Sequence, residues 1–276
     1  MIVDILLSTY NSEAFLEELV ESIYLQSYSN WRFIIRDDCS SDNTINILYK
    51  YKNGDPERFH IIENNGINIG PKRSFQKLLE HSTSNYMMFC DHDDYWLPNK
   101  IEDALSKIRE IETRMPNQAA LVFTDLILTD HNLKIIHKSF WKYSKINPAN
   151  IQNVYMLAIN NPVVGCTVMI NKRAKLLALP IPDEAIMHDW WTALKVAESG
   201  IIDYIEKPGI LYRLHNSNEI GTTKANLTYL LRRLSGISKT LRQNRDAYKM
   251  LKALNKKYSF FKMMGYKVII SVSKIL

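Results

Sequence analysis

Cysteine is scarce in this chain: three residues in 276, Cys39, Cys90 and Cys166, odd in number, far apart and without a CxxC pair. That excludes a disulfide framework and a zinc finger or ribbon, and predicts a reducing compartment. No apolar run approaches the ~20 residues that a membrane span requires. Met1-Ile2-Val3-Asp4 also lacks the basic n-region of a secretory signal, so a cytoplasmic protein is expected. Glycine is low as well, at nine residues, and neither a GxGxxG after the first predicted strand nor a GxxxxGK followed by Ser or Thr occurs. The dinucleotide fingerprint and the P-loop are both excluded, and phosphate has to be held another way. Internal repeats and low-complexity segments are absent too.

What is present is a core: 46% of residues are hydrophobic and 11% aromatic, which rules out a disordered chain. The net charge of +6 hides a split. Residues 224–276 hold 13 Lys/Arg against the single acid Asp246, while the residues before them hold 22 Lys/Arg against 28 Asp/Glu. An acidic body carries a basic tail.

Ile2-Val3-Asp4-Ile5-Leu6-Leu7 predicts a strand that runs into the polar Ser8-Thr9-Tyr10-Asn11, and behind it Phe15, Leu16, Leu19, Val20 and Ile23 recur at helical spacing. Trp31 to Ile35 predicts a second strand, followed by Asp37-Asp38-Cys39-Ser40-Ser41-Asp42-Asn43-Thr44 and a helix over 45–51. A third strand over 59–62 leads through a polar loop to a helix over 72–81, and a fourth follows at Tyr86-Met87-Met88. Strands alternating with helices predict parallel βαβ units, with ligands at the carboxyl ends of the strands, where all these polar loops fall. After a helix over 100–113, residues 120–129 and 133–137 flank the turn-like Asp130-His131-Asn132, which predicts a hairpin and a mixed sheet. Residues 162–170 predict another strand, Met187-His188-Asp189-Trp190-Trp191 opens a helix that stops at Gly200, and 201–205 and 210–214 predict closing strands.

The fourth strand delivers Phe89-Cys90-Asp91-His92-Asp93-Asp94-Tyr95-Trp96. Three carboxylates in four residues at the exit of a buried strand are costly to hold together unless a cation or donor groups neutralise them. Oxygen-only ligands suit a hard divalent ion, Mg²⁺ or Mn²⁺, that bridges carboxylates to phosphates. The alternative is a solvated acidic turn that caps the helix starting near Pro98.

Ser8-Thr9-Tyr10-Asn11, then Asp37 to Thr44, then Asp91-His92-Asp93-Asp94, then His188-Asp189-Trp190-Trp191 together resemble the family 2 inverting glycosyltransferases of GT-A fold, across about residues 2 to 221. The Asp-x-Asp-Asp-x-Trp-x-Pro form, with His-Asp-Trp-Trp and Tyr212-Arg213-Leu214-His215, is similar to the rhamnosyltransferase branch. The resemblance implies an α/β GT-A fold with a mixed, mainly parallel central sheet over 1–221, and 222–276 follow as a basic helical extension. It implies a glycosyltransferase of cell-surface polysaccharide biosynthesis that moves L-rhamnose from dTDP-rhamnose, or alternatively a hexose from a UDP donor, to a saccharide acceptor.

By the same resemblance the donor nucleotide lies against Thr9, Tyr10, Asn11, Asp38 and Asp91, with Lys72 and Arg73 toward the diphosphate. A carboxylate facing a pyrimidine imide N–H is sound chemistry, since an ionised Asp only accepts. Asp93 would hold Mg²⁺ or Mn²⁺, and His215 would complete the metal shell or touch the diphosphate. Asp189 matches the base that removes the acceptor hydroxyl proton as it attacks opposite the leaving nucleotide. His188, Trp190, Trp191 and Arg213 fall around the acceptor or behind the reacting groups. Many members carry Glu where His188 stands, so the base is open between His188 and Asp189, and Asp189 as a simple helix cap is a further reading. Ser74 stands where related sequences often carry Asn. Cys39 replaces the usual Gly, so its backbone is expected to avoid the most Gly-dependent conformations.

In the tail, Leu227, Leu230, Leu231, Leu234, Ile237, Ser238 and Leu241 follow helical spacing among Arg232, Arg233, Lys239, Arg242 and Arg245, and predict docking on the catalytic domain. Farther on, Phe260, Phe261, Met263, Met264, Tyr266, Val268, Ile269, Ile270 and Val272 interleave with Lys262, Lys267 and Lys274. That segment suits the interface of a membrane, which places the protein peripherally at the inner face with a lipid-linked saccharide acceptor. A homodimer contact with a solvated basic face is the alternative. A nucleic-acid-binding protein would use the same basic tail but leaves the ordered carboxylates without a purpose, so nucleic acid is not expected as a partner. A nucleotidyltransferase would share the nucleotide-binding half but release pyrophosphate.

Overall fold

The computed structural model describes residues 1–214 and 229–273, with the side chains of 152, 229–240 and 273 outside the description. The first half alternates as the periodicity predicts: β1 Val3–Thr9, α1 Leu16–Tyr24, β2 Trp31–Asp37, α2 Thr44–Gly54, β3 Phe59–Ile61, α3 Gly70–His81 and β4 Tyr86–Cys90. β1 lies between β2 and β4, parallel to both, and every one of its residues is buried. A strand covered on both faces reads as a continuous apolar run, which is why this one is so legible. Its single acid, Asp4, is buried but met by Arg32 Nε at 2.8 Å and by the hydroxyls of Ser82 and Ser84, both at 2.6 Å. α1 buries Leu16, Leu19, Val20 and Ile23 and keeps Glu17 and Glu18 in its first turn, where the helix dipole favours acids.

The second half adds β5 Tyr95–Trp96, α4 Lys100–Arg114, β6 Ala120–Thr124, β7 Ile127–Thr129, β8 Ile135–His137, α5 Phe140–Tyr143, α6 Val154–Ile159, β9 Val168–Asn171, α7 Lys172–Ala178, α8 His188–Ser199, β10 Ile201–Ile205 and β11 Ile210–Arg213. The central sheet runs β10-β6-β9-β4-β1-β2-β3, parallel except for β9, which is antiparallel to both of its neighbours. A smaller sheet, β5-β11-β7-β8, sits at the carboxyl edge and contains the predicted hairpin, β7 against β8.

Two expectations are corrected here. The strand expected over 120–129 breaks at Asp125, because its carboxylate accepts from the backbone N–H groups of Leu126, Phe140 and Trp141 and from the Ser139 hydroxyl. The chain therefore leaves the central sheet and enters the small one. The strand expected over 162–170 starts only at Val168, because residues 165–167 form a single 3₁₀ turn that passes beneath the site.

α9 Tyr229–Leu254 and α10 Phe260–Ser273 fold back onto α6 and α8. Ala247, Met250, Leu251, Leu254, Tyr258 and Met263 are buried in the same cluster as Trp191 and Leu194 of α8, and Ile270 is buried as well. Each such large aliphatic side chain contributes about 1.5–3 kcal/mol of burial. Tyr258 Oη donates to Glu198 at 3.0 Å and the Ser259 N–H to Tyr155 Oη at 3.1 Å. Leu241 of the predicted docking stripe is instead 62% exposed, and the stripe over 227–240 lies outside the described side chains.

Candidate active site

The first two loops of the carboxyl edge are zipped together side chain to backbone. Thr9 Oγ1 donates to Asp37 Oδ1 at 2.9 Å, and Ser40 donates to the same carboxylate through its N–H and its hydroxyl. The Asn11 N–H donates to Ser40 Oγ at 2.9 Å and the Ser41 N–H returns to Asn11 Oδ1 at 2.9 Å. Thr9 is thereby turned inward and wholly buried, while Tyr10 stays half exposed at the rim. Asp38 also faces the protein: it pairs with Arg36 and accepts the N–H groups of Ile69 and Gly70 at 2.8 and 2.7 Å. The same Arg36 donates to the buried Ser74 hydroxyl at 2.7 Å. Cys39, between these contacts, sits at φ +67°, so its backbone keeps the Gly-favouring conformation that it was expected to avoid. That is the left-handed region, which a non-glycine residue tolerates at a cost of about 1–2 kcal/mol.

Lys72 and Arg73 strap the segment ahead of α8. Lys72 Nζ donates to the carbonyls of Asp183 and Ala185, both at 2.8 Å, and Arg73 donates to the Ile181 carbonyl at 2.6 Å and pairs with Asp183. Their donors hold a loop instead of standing open toward a diphosphate.

The acidic turn runs from β4 to β5. Asp94 is 1% exposed, and among the described residues no N–H or O–H donor reaches either of its carboxylate oxygens; only the Cys166 thiol lies beside it. Burial, then the charges of Asp93 and Asp91, hold its carboxyl well above the usual range. The ligating atoms of Asp91, Asp94 and Cys166 all fall within 4.8 Å of one another. Beneath them, fully buried Lys100 donates to the Cys166 carbonyl at 2.6 Å and places its ammonium 4.2 Å from the centre of the Trp96 ring. Burial pulls its pKa down to about 8.

Asp93, named in advance for the metal, is buried but does not belong to the Asp91, Asp94 and Cys166 group; its carbonyl accepts from Arg213 Nε at 2.7 Å. Arg213 also donates to the His131 carbonyl at 2.6 Å, pairs with Glu18 and lies 4.8 Å over the Phe15 ring. It pins the acidic turn to α1 and to the turn after β7. His215 lies outside the described residues.

Asp189 is the second residue of α8. Its Oδ1 accepts its neighbour Trp190 N–H at 2.7 Å, and the Gly165 N–H adds a second donor. Burial nevertheless pushes its pKa up to about 6. His188 is placed very differently: it stacks on Phe75 at 3.8 Å, meets Phe89 edge-on at 4.7 Å, and neither ring nitrogen has a hydrogen-bond partner among the described residues. Burial pulls its pKa down to about 3, which leaves the imidazole neutral and a poor base. Trp190 Nε1 donates to the Leu157 carbonyl and Trp191 Nε1 to the Ala178 carbonyl, both at 2.9 Å, so the two indoles anchor α8 to α6 and α7.

One turn joins the two halves of this edge. A Cβ on Gly165 would sit 3.3 Å from Asp189 Oδ2 and 3.4 Å from His188 Nε2, while the next residue, Cys166, touches Asp94.

A model of the family described as glycosyl transferase family 2 matches residues 4–175. The chain belongs to that family. RfbG of Shigella flexneri, a dTDP-rhamnosyl transferase, is 26% identical over 234 residues, 81% of this chain and 75% of its own. WfaP of Escherichia coli, a UDP-Glc:alpha-D-GlcNAc-diphosphoundecaprenol beta-1,3-glucosyltransferase, is 26% identical over 245 residues, 87% and 86% of the two chains. The crystal structure of S. aureus TarS 1–349 in complex with UDP-GlcNAc matches with a TM-score of 0.61 at 17% identity, over 91% of this chain and 72% of that one. That likeness shows the fold, GT-A, with its mixed and mainly parallel sheet.

Three parts of this family 2 glycosyltransferase site had little sequence signal: Lys100, Gly165 and Cys166. Lys100 left one hint, as a cation in the first turn of a helix where the dipole disfavours it. Gly165 and Cys166 were hidden inside an apolar run.

Proposed function

We propose that this chain is a metal-dependent inverting glycosyltransferase that transfers L-rhamnose from dTDP-rhamnose to a saccharide carried on a lipid, in the assembly of a cell-surface polysaccharide. The observation that carries the reading is the turn at 165–167, whose adjacent residues Gly165 and Cys166 lie against a carboxylate of pKa about 6, Asp189, and against the buried carboxylate of Asp94. Inversion needs a base and a nucleotide-leaving site on opposite sides of one anomeric carbon.

Asp189 is suited to the base. Half-buried in the protein, its carboxylate is partly stripped of water, and a pKa near 6 leaves it ionised at neutral pH while keeping it a better proton acceptor than an ordinary Asp. The Trp190 and Gly165 N–H groups fix its orientation, and His188 behind it is neutral packing.

The chemistry of the acidic turn fits a hard divalent cation, Mg²⁺ or Mn²⁺. A buried carboxylate without an N–H or O–H donor among the described residues, Asp94, and a half-buried one within ligating distance of it, Asp91, are what such an ion satisfies. Asp91 and Asp94 would hold it, with Asp93 in the same turn and the protonated Cys166 thiol as a neutral neighbour. A cation bound there supplies electrostatic stabilisation of the departing diphosphate. Tyr10, Asn11 and Asp91 line the open edge for the nucleotide, while Thr9, Asp38, Lys72 and Arg73 set the shape of the loops around it.

The dTDP-rhamnose assignment is supported by the Asp-x-Asp-Asp-x-Trp-x-Pro form and by the likeness to RfbG. The name of WfaP supports a lipid diphosphate acceptor and favours UDP-glucose as the second donor to consider. Such an acceptor places the enzyme peripherally at the cytoplasmic face of the membrane. The test is release of nucleoside diphosphate from dTDP-rhamnose, UDP-glucose, UDP-GlcNAc, UDP-galactose and GDP-mannose, with and without Mn²⁺ or Mg²⁺. Preference for dTDP-rhamnose with loss of activity in EDTA is expected. Preference for a UDP-hexose would replace the donor, and full activity in EDTA would remove the metal.

A further inference from the structure

α10 carries apolar side chains where a surface helix carries charge. Its inner face buries Met263 and Ile270 and stacks Tyr266 on Tyr155 at 5.5 Å. Its outer face is also apolar: Phe261, Val268, Ile269 and Val272 are 86, 62, 53 and 51% exposed. Phe261, Val268 and Val272 recur at helical spacing and, with Gly265, which has nothing within 4 Å of a Cβ, form one open stripe. An apolar stripe of this kind facing water marks an interaction surface.

The charge around the stripe selects the partner. Residues 241–273 hold eight Lys/Arg and one acid, Asp246. Lys249, Lys252, Lys256, Lys257 and Lys262 are all exposed around the turn that joins α9 to α10. We propose that the outer face of α10 is a docking surface for an anionic phospholipid bilayer. The helix lies flat in the interface, with Phe261, Val268, Ile269 and Val272 at the acyl boundary and the lysines at the headgroup phosphates. At 14 residues it extends about 21 Å, too short to cross a ~30 Å core, so it lies on the membrane and does not span it. A second copy of the chain is the poorer occupant, because a two-fold contact through this face would oppose its own lysines.

The surface also bears on the reaction proposed above. α6 packs against both α10 and α8, and its Leu157 carbonyl holds the indole of Trp190, the neighbour of Asp189. α6 therefore links the lipid-facing helix to the helix that carries the base.

The test is co-sedimentation of the full chain with vesicles of phosphatidylcholine, with and without phosphatidylglycerol, at low and high salt, beside donor turnover in solution. The intact protein is expected to bind the anionic vesicles, and to bind less in high salt. Phe261→Glu/Val268→Glu is expected to weaken binding by about 10²-fold or more, since two apolar side chains at the acyl boundary become charges. Its circular dichroism and its nucleoside diphosphate release in solution should be unchanged. Lys256→Glu/Lys262→Glu is expected to lose the preference for anionic vesicles, by about tenfold or more. Unchanged sedimentation of the Phe261/Val268 variant, or equal binding to neutral vesicles, would overturn the proposal. So would a dimer in analytical ultracentrifugation that the same variant dissolves, because the stripe would then belong to a second copy. Failure of the glycosyltransferase reading would appear separately, as absence of donor turnover by the intact protein.

Discussion

Asp189→Asn is expected to slow the enzyme and stabilise its fold, and both effects come from one desolvated charge. The folded chain raises this carboxyl from 3.8 to about 6 through burial. Each tenfold change in acid strength is about 1.36 kcal/mol, so carrying the charge in the fold costs ~3 kcal/mol relative to the unfolded chain. The sign follows from the raised value. Below about pH 4 both states are protonated and nothing is lost; the cost grows as pH rises through about 6 and is complete above it. Asn has the same shape without the charge, and its Oδ1 still accepts the Trp190 N–H seen at 2.7 Å. Its amide cannot accept the Gly165 N–H, which returns ~1 kcal/mol.

The net expectation is ~2 kcal/mol of added stability at pH 8, or about 4–8 °C in Tm, and none or a slight loss near pH 4. Urea denaturation at the two pH values measures it. In parallel, kcat should fall by about 10²-fold or more, with donor affinity near that of the parent. The parent's kcat/KM should rise with pH along a limb centred near 6, a limb that the variant lacks. An Asn variant that is destabilised equally at both pH values, or that retains the parent's rate, would refute the assignment of the base and of its burial together. If His188→Ala lost the rate and Asp189→Asn kept it, the two roles would be exchanged.

Asp94→Asn should raise the Mn²⁺ concentration for half-maximal activity by about tenfold or more while leaving the cation-free protein as stable or more so, read by cation titration of nucleoside diphosphate release and by melting in EDTA. An unchanged titration would move the ligation to Asp93. Lys100→Met should cost ~2–4 kcal/mol, because the Cys166 carbonyl loses a donor at 2.6 Å and the acids lose the cation beneath them; an unchanged melting temperature would contradict this. Gly165→Ala should lower kcat by about tenfold with little change in donor KM, since the new methyl meets Asp189 Oδ2 at 3.3 Å and displaces the base; a rise in donor KM alone would place that wall elsewhere.

Much of the architecture was readable because burial writes itself into local pattern. β1 is buried along its whole length and reads as an apolar run with the single acid Asp4 before its polar end, and α1 shows its four buried apolar positions at helical spacing. The acidic turn was visible for the same reason: carboxylates at the end of such a run have no ordinary place in a core. Where the local pattern failed, a distant partner was responsible. The break at Asp125 depends on N–H groups 15 and 16 residues later, at Phe140 and Trp141, and nothing within 120–129 foreshadows it. Asp38 and Thr9 were correctly placed on the carboxyl edge, but their side chains are engaged by Ile69, Gly70 and Asp37, 28 to 32 residues away in sequence.

The acidic turn shows how far sequence spacing reaches. Spacing alone treats Asp91, Asp93 and Asp94 as nearly equivalent, since a turn of four residues can point any two of them inward. Burial separates them: Asp94 goes to the bottom, beside a thiol and near a buried ammonium, and burial is what raises its proton affinity. Lys100 and Cys166 supply that floor from α4 and from the 165–167 turn, about 6 and 72 residues downstream, so the distinction between the three acids is written in parts of the chain that hold no acid. A cation arriving at such a site meets one carboxylate already desolvated, so the protein has borne part of the desolvation cost in folding. The same arrangement explains why the turn needs Arg213, whose contacts to the Asp93 and His131 carbonyls hold the loop shut above a charge that would otherwise open it to water.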